Sequence, residues 1–65
     1  MNSTVKLVLL SLNLNEFTRV SVRRHMSPGI DYLGGGSVAS VLSRFGNEQI
    51  EDSCIMDNVL ILYVR

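Results

Sequence analysis

The segment from Ser37 to Phe45 constrains the fold most, because it carries every local signal of a short amphipathic helix. Ser37 is a favourable N-cap residue, and Gly46 follows the segment as a favourable stop. Between them, apolar residues recur at the i, i+3, i+4, i+7 spacing of one helix face: Val38, Val41, Leu42 and Phe45. The sequence therefore predicts one helix over residues 37–45.

Strand-like runs lie on both sides of this helix. The run from Thr18 to Arg23 alternates strictly, with one set predicted to face the core (Thr18, Val20, Val22) and the other to face outward (Arg19, Ser21, Arg23). Strand formers also fill residues 54–56 and 59–64, and Asp57-Asn58 between them suits a tight hairpin turn. The run from Val59 to Val64 is apolar on both faces, which favours the middle of a sheet or a subunit interface.

Residues 4–14 allow two interpretations. Val5, Val8, Leu9 and Leu12 fit the helical spacing, whereas the stretch from Leu10 to Asn15 alternates like a strand. The alternating end favours a strand that pairs with the Thr18–Arg23 run as a hairpin. Ser27-Pro28-Gly29 predicts a turn, residues 30–33 are too short to assign, and the polar residues 47–53 predict a loop or a frayed extra turn of the helix.

These elements predict an α+β fold: a small β-β-α-β(-β) domain with a mostly antiparallel sheet and one helix on one face. The 65 residues form one domain, 1–65. A domain this small buries only about 60% of the surface that its unfolded chain exposes, so it needs additional stabilisation. Cys54 and His25 are the only residues of their kinds, which leaves no internal disulfide and no standard zinc ligand set. We therefore expect no metal and no cofactor, and self-association as the stabilising device.

A lone cysteine fits a reducing compartment, so we expect a cytoplasmic protein. No stretch approaches the roughly 18 apolar residues that span a bilayer, and we expect no membrane association. We expect Cys54, within a strand-like segment, to be a small buried apolar residue. Its pairing with His25 as a catalytic unit has no support in the sequence, and we expect no enzymatic activity.

Basic residues cluster at Arg19, Arg23, Arg24 and His25, although the formal net charge of the chain is zero. Arginines on a hairpin can contact phosphates, which makes nucleic-acid binding an alternative function. The neutral total and the absence of aromatic residues interleaved with the cluster favour instead an ordinary solvated sheet face, or pairing with the acidic residues Glu48, Glu51 and Asp52.

Gly34-Gly35-Gly36-Ser37 precedes the predicted helix, where backbone N–H groups of Gly35, Gly36 and Ser37 could approach a small anion. The segment matches neither the Walker A motif nor the dinucleotide fingerprint. A flexible loop leading into a capped helix is the favoured interpretation, and an anionic ligand is the third possibility.

One nine-residue helix is too short to cover both faces of so apolar a sheet. Four residues are candidates for the uncovered face: Phe17, Val59, Ile61 and Tyr63. An exposed apolar face of this kind marks an interface. The leading hypothesis is therefore a non-enzymatic interaction or accessory domain that forms a homodimer through its sheet, with another protein partner possible.

Overall fold

One four-stranded sheet organises the chain, in a computed structural model that describes residues 3–12 and 19–65. The elements are α1 (Val5–Ser11), β1 (Arg19–His25), β2 (Ile30–Gly36), α2 (Val38–Phe45), β3 (Ile50–Met56) and β4 (Val59–Val64). The strand order is β2-β1-β4-β3. β1 and β2 form one antiparallel hairpin, β3 and β4 form another, and the central strands β1 and β4 pair in parallel. The prediction of a small α+β domain is confirmed.

The favoured assignment of residues 4–14 to a strand is wrong, and so is the hairpin between that segment and residues 18–23. Residues 5–11 form α1, which begins after Thr4, whose Oγ1 accepts a hydrogen bond from the Leu7 N–H at 3.3 Å. Helical spacing buries Val5 and Leu9 in the core. The alternation that suggested a strand continues into residues 13–15, which lie outside the described residues.

The helix predicted over residues 37–45 is confirmed as α2. The Ser37 Oγ accepts a hydrogen bond from the Ser40 N–H at 3.1 Å, as an N-cap should. At the other end the Gly46 N–H donates to the Leu42 carbonyl at 3.1 Å, and Gly46 stays in the right-handed region with φ −54°. Gly46 therefore ends the helix without the left-handed conformation that makes glycine common there.

Both predicted turns are present. The Met26 N–H donates to the Gly29 carbonyl at 2.9 Å and Gly29 has φ 103°, which closes the β1–β2 hairpin. Asp57 and Asn58 have φ 53° and 65° and close the β3–β4 hairpin.

Two boundaries differ from the prediction for the same reason. Gly34, Gly35 and Gly36 belong to β2 instead of a loop, because they pair with Val22, Ser21 and Val20 of β1. Likewise β3 begins at Ile50, inside the segment predicted as a loop. In both cases pairing with a neighbouring strand outweighs unfavourable local composition.

Both helices pack on the same face of the sheet. Their buried side chains join those of β1 and β4 in one cluster: Val5, Leu9, Val20, Val22, Val41, Leu60, Leu62 and Val64. The N–H groups of Val5 and Lys6 donate to the carbonyls of Glu48 and Gly46, at 2.9 and 3.0 Å, so the start of α1 is bonded to the chain that leaves α2. The prediction that residues 59–64 lie in the middle of the sheet is confirmed, since β4 lies between β1 and β3.

Candidate functional site

The sheet face that carries neither helix is the candidate functional surface, which we call the outer face. Side chains alternate along β1 and β4, so the residues between the core positions point to this face. Strand pairing extends the same face onto β2 and β3. Its residues are Arg19, Ser21, Arg23, His25, Ile30, Tyr32, Asp52, Cys54, Met56, Val59, Ile61 and Tyr63.

Two stacked pairs cover part of the outer face. The Arg23 guanidinium carbon lies 4.7 Å from the centre of the Tyr32 ring, within cation–π range. The His25 ring stacks on Tyr63, with 4.3 Å between ring centres and 25° between planes. The Arg23 Nε–H also donates to the Ser21 Oγ at 3.1 Å, which orients the guanidinium.

Strand register brings these groups together across the sheet. Arg23 lies opposite Tyr32 in β2 and opposite Tyr63 in β4, so two aromatic rings flank one arginine. Tyr32 was not among the predicted site residues, because residues 30–33 are too short to assign from the sequence. A register shift between Val22 and Arg23 sets its face, and nothing in the local sequence marks that bulge.

Carboxylates border the outer face on the β3 side. The His25 Nδ1 lies 3.7 Å from the Glu51 Oε2, and both side chains are 52% exposed. Asp52 lies opposite Tyr63. Positive charge is therefore on β1, at Arg19 and Arg23, while negative charge is on β3.

The basic cluster predicted from the sequence is divided between two faces. Arg19 and Arg23 belong to the outer face, whereas alternation places Arg24 on the helix side. There the Arg24 Nε–H donates to the Arg65 carbonyl oxygen at 3.1 Å. Two of the three predicted arginines thus share a surface.

Packing explains the glycines that the sequence analysis considered for an anion. A Cβ on Gly34 would lie 3.1 Å from atoms of the Arg44 and Phe45 side chains, so its absence lets α2 lie on β2. A Cβ on Gly35 would lie 2.6 Å from the Val20 carbonyl oxygen. Gly36 has φ 134°, a conformation that favours glycine.

The predicted interface residues Val59, Ile61 and Tyr63 all lie on the outer face, while Phe17 lies outside the described residues. Ile61 is only 5% exposed, and His25 stacks on Tyr63, so these residues offer little free apolar area. The outer edge of β3 is more accessible, because every residue from Glu51 to Met56 is exposed. The expectation that Cys54 is buried is wrong: as part of this edge strand its thiol is exposed and free.

A cleft of about 590 Å³ lies between the helices. Leu10 of α1 and Leu42 and Phe45 of α2 supply its apolar lining. Its charged residues, Lys6, Arg44 and Glu48, are of both signs, so the cleft favours no single class of ligand.

No protein-family model, curated protein or solved structure matches this chain. Over residues 3–12 and 19–65, no group of three or more His, Cys, Asp and Glu side chains could hold a metal ion. No helix in that same part of the chain is long and apolar enough to cross a membrane.

Proposed function

We propose that this chain is a non-enzymatic interaction domain that forms a homodimer by joining the β3 edges of two copies into one continuous antiparallel sheet. The observation that carries this proposal is the exposed edge of β3. Among the described strands, β3 has a neighbour on one side only. The unpaired N–H and C=O groups of such an edge are a template for another strand.

The chemistry of the edge favours pairing along its C-terminal half. Proteins protect free edges with charges, prolines and bulges. β3 carries its bulge and its carboxylates at Glu51 and Asp52, and the Asp52 Oδ1 also accepts the Ser53 N–H at 2.8 Å. From Cys54 to Met56 the strand has no charge, proline or bulge. Ile55 is 42% and Met56 60% exposed, apolar surface that a second strand would bury.

The opposite edge of the sheet is less suited to pairing. β2 has a bulge at Leu33 and three consecutive glycines at its end. Glycines supply no side chains for cross-strand contacts, and glycine-rich strands specify their register weakly. We therefore assign the contact to β3.

Turn geometry indicates which backbone groups of β3 point outward. Positive φ at both Asp57 and Asn58 is the signature of a type I′ turn, whose flanking residues, Met56 and Val59, bond to each other. Bonded and non-bonded pairs alternate along an antiparallel ladder. The N–H and C=O groups of Ser53 and Ile55 therefore point away from β4.

A twofold axis at Cys54 would pair these outward groups with one another. Ser53 of one protomer would bond to Ile55 of its partner, and its N–H would exchange the Asp52 Oδ1, which accepts it at 2.8 Å in the single chain, for the partner's backbone. Asp52 would lie opposite Met56, so that no carboxylate faces another over this stretch. Cys54 would lie opposite its own counterpart in a non-bonded pair, with Cα atoms about 4.5 Å apart. The paired stretch is short, so we expect weak, concentration-dependent association.

The test compares two isoleucines of similar exposure on opposite edges of the sheet. Ile55 on β3 is 42% exposed and Ile30 on β2 is 39% exposed. In sedimentation equilibrium, we expect the wild type to dimerise with increasing concentration, Ile55→Lys to remain monomeric, and Ile30→Lys to behave as the wild type. A wild type that stays monomeric at high concentration would refute the homodimer, and equal loss in both variants would refute the β3 edge.

Oxidation tests the register of the pairing. We propose a cytoplasmic location, in which reducing conditions keep the Cys54 thiol free. Under mild oxidation in vitro, the geometry predicts a disulfide-linked dimer, because a Cα separation of about 4.5 Å is within the disulfide range. Any exposed thiol cross-links slowly, so the prediction requires that Ile55→Lys suppress the reaction; equal rates would contradict this register.

A further inference from the structure

A row of three aromatic rings and one arginine crosses three strands of the outer face. Tyr32, Arg23 and Tyr63 are neighbours in register, and His25 stacks on Tyr63. Tyr32 is 68% exposed, and the His25 side chain is 52% exposed. Tyr32 and Tyr63 are separated by two strand spacings, about 10 Å, and Arg23 lies between them.

We infer that this row binds single-stranded nucleic acid. Unpaired bases stack on the exposed rings of Tyr32 and His25, and Arg23 contacts the phosphate between them. Stacking on aromatic side chains is the main sequence-tolerant source of affinity in single-strand binding. In the free protein Arg23 already stacks on the Tyr32 ring, and Tyr63 already stacks on the His25 ring. These contacts hold the rings of Tyr32 and His25 in place for the bases.

Charge on the outer face gives the bound strand a preferred path. Arg19 and Arg23 lie on β1 and attract phosphates, whereas Glu51 and Asp52 at the β3 side repel them. The phosphate chain therefore follows β1 and β2 and avoids β3. Removing a carboxylate in Asp52→Asn strengthens binding at low salt, because it reduces that repulsion.

The same features favour a single strand over a duplex and over an acidic polypeptide. In a duplex the bases are stacked on one another and do not reach Tyr32 or His25. Binding of a duplex by charge alone requires an excess of positive charge, and the net charge of this chain is zero. An acidic polypeptide would use the arginines but would gain nothing from the exposed ring of Tyr32.

Fluorescence anisotropy with labelled oligothymidylate and oligouridylate of about 10 nucleotides, a typical single-strand site size, tests the inference. We expect binding at low salt, a loss of about tenfold in Tyr32→Ala, and near wild-type affinity in Tyr32→Phe, which keeps the ring. Tyr32 is mostly exposed, so neither substitution removes core packing; circular dichroism checks that both variants fold.

Adjacent arginines on opposite faces provide the matched control for the phosphate contact. Arg23→Gln should reduce the slope of log affinity against log salt by about 0.7, the value for one phosphate contact on a single strand. Arg24→Gln should leave that slope unchanged, because Arg24 points to the helix side and binds the Arg65 carbonyl.

Three results would overturn the inference. They are no binding of either oligonucleotide at low salt, equal affinity for Tyr32→Ala and the wild type, and equal binding of duplex DNA or polyglutamate. The inference does not depend on the dimer, so Ile55→Lys should retain binding to a short oligonucleotide even if it is monomeric.

Discussion

At the scale of single residues, Gly35 lies where the sheet has no room for a side chain. Its Cβ would lie 2.6 Å from the Val20 backbone oxygen, whereas that of Gly34 would lie 3.1 Å from side-chain atoms of Arg44 and Phe45. Side chains can shift more easily than a paired backbone. We therefore expect Gly35→Ala to lower the free energy of unfolding by about 1–3 kcal/mol.

The control is the neighbouring substitution, Gly34→Ala, in which the smaller clash is offset by the reduced entropy of the unfolded chain. Urea unfolding followed by circular dichroism measures both variants. If Gly34→Ala lowers the free energy of unfolding as much as Gly35→Ala does, the expectation that Gly35 tolerates a side chain less well than Gly34 is wrong.

The role of a single residue could be predicted from the sequence only where the residue and the structure that it forms lie in the same short segment. Ser37 caps a helix that starts directly after it, and Asp57-Asn58 form a turn by their own tolerance of positive φ. The contact between Arg23 and Tyr32 depends instead on pairing between two strands and on a bulge that shifts their register. For this reason the sequence indicated the basic residues but missed the aromatic partner.

At the scale of elements, the side chains that α1 buries differ from those that a strand over the same residues would bury. Substitutions in α1 can therefore distinguish a helix from a strand. Leu9 is 2% exposed and Leu7 is 56% exposed. We expect Leu9→Ala to destabilise the domain by about 2–5 kcal/mol. Leu7→Ala should change stability by no more than about 0.5 kcal/mol.

Thermal or urea unfolding of the two variants measures the difference. In an alternating strand Leu7 and Leu9 would share one face, so similar losses for both substitutions would contradict the helix.

The sequence could not settle α1 because most of residues 5–12 are apolar. The helical face of Val5 and Leu9 is hidden among exposed leucines such as Leu7 and Leu10. What selects the helix is tertiary: its first N–H groups bond to the carbonyls of Gly46 and Glu48, and its buried face completes the core. By contrast, α2 could be predicted because the N-cap residue Ser37, the apolar face from Val38 to Phe45 and the terminating Gly46 all indicate the same helix.

At the scale of the whole molecule, stability should decrease from the centre of the sheet to the β3 edge. Leu60 and Leu62 of β4 are 1% and 0% exposed, whereas β3 is exposed from Glu51 onward. In hydrogen exchange of the monomer we expect the slowest amides in β4 and fast exchange at the outward amide of Ile55.

Raising the protein concentration should slow exchange at the Ile55 amide if the β3 edges pair. Amides of Tyr32 and its β2 neighbours serve as the control and should not change. Slowing confined to β2 would assign self-association to the opposite edge.

The α+β class and the central position of β4 followed from local patterns, but the strand order did not. Local patterns identify strands without stating which of them meet. The parallel pairing joins residues 19–24 to residues 59–64, and β2, α2 and β3 lie between them in the chain. The two strands meet in the shared core, where Val20 and Val22 lie beside Leu60 and Leu62.

That parallel pair also sets when the domain can fold during its synthesis on the ribosome. β1 is synthesised before its neighbour in the core, β4, which follows both helices and the other strands in the chain. Contacts between segments so distant in sequence form late and slowly. Val20 and Val22 therefore lack the core neighbours that β4 supplies until β4 is free, and the apolar surface exposed in that interval favours aggregation of the nascent chain.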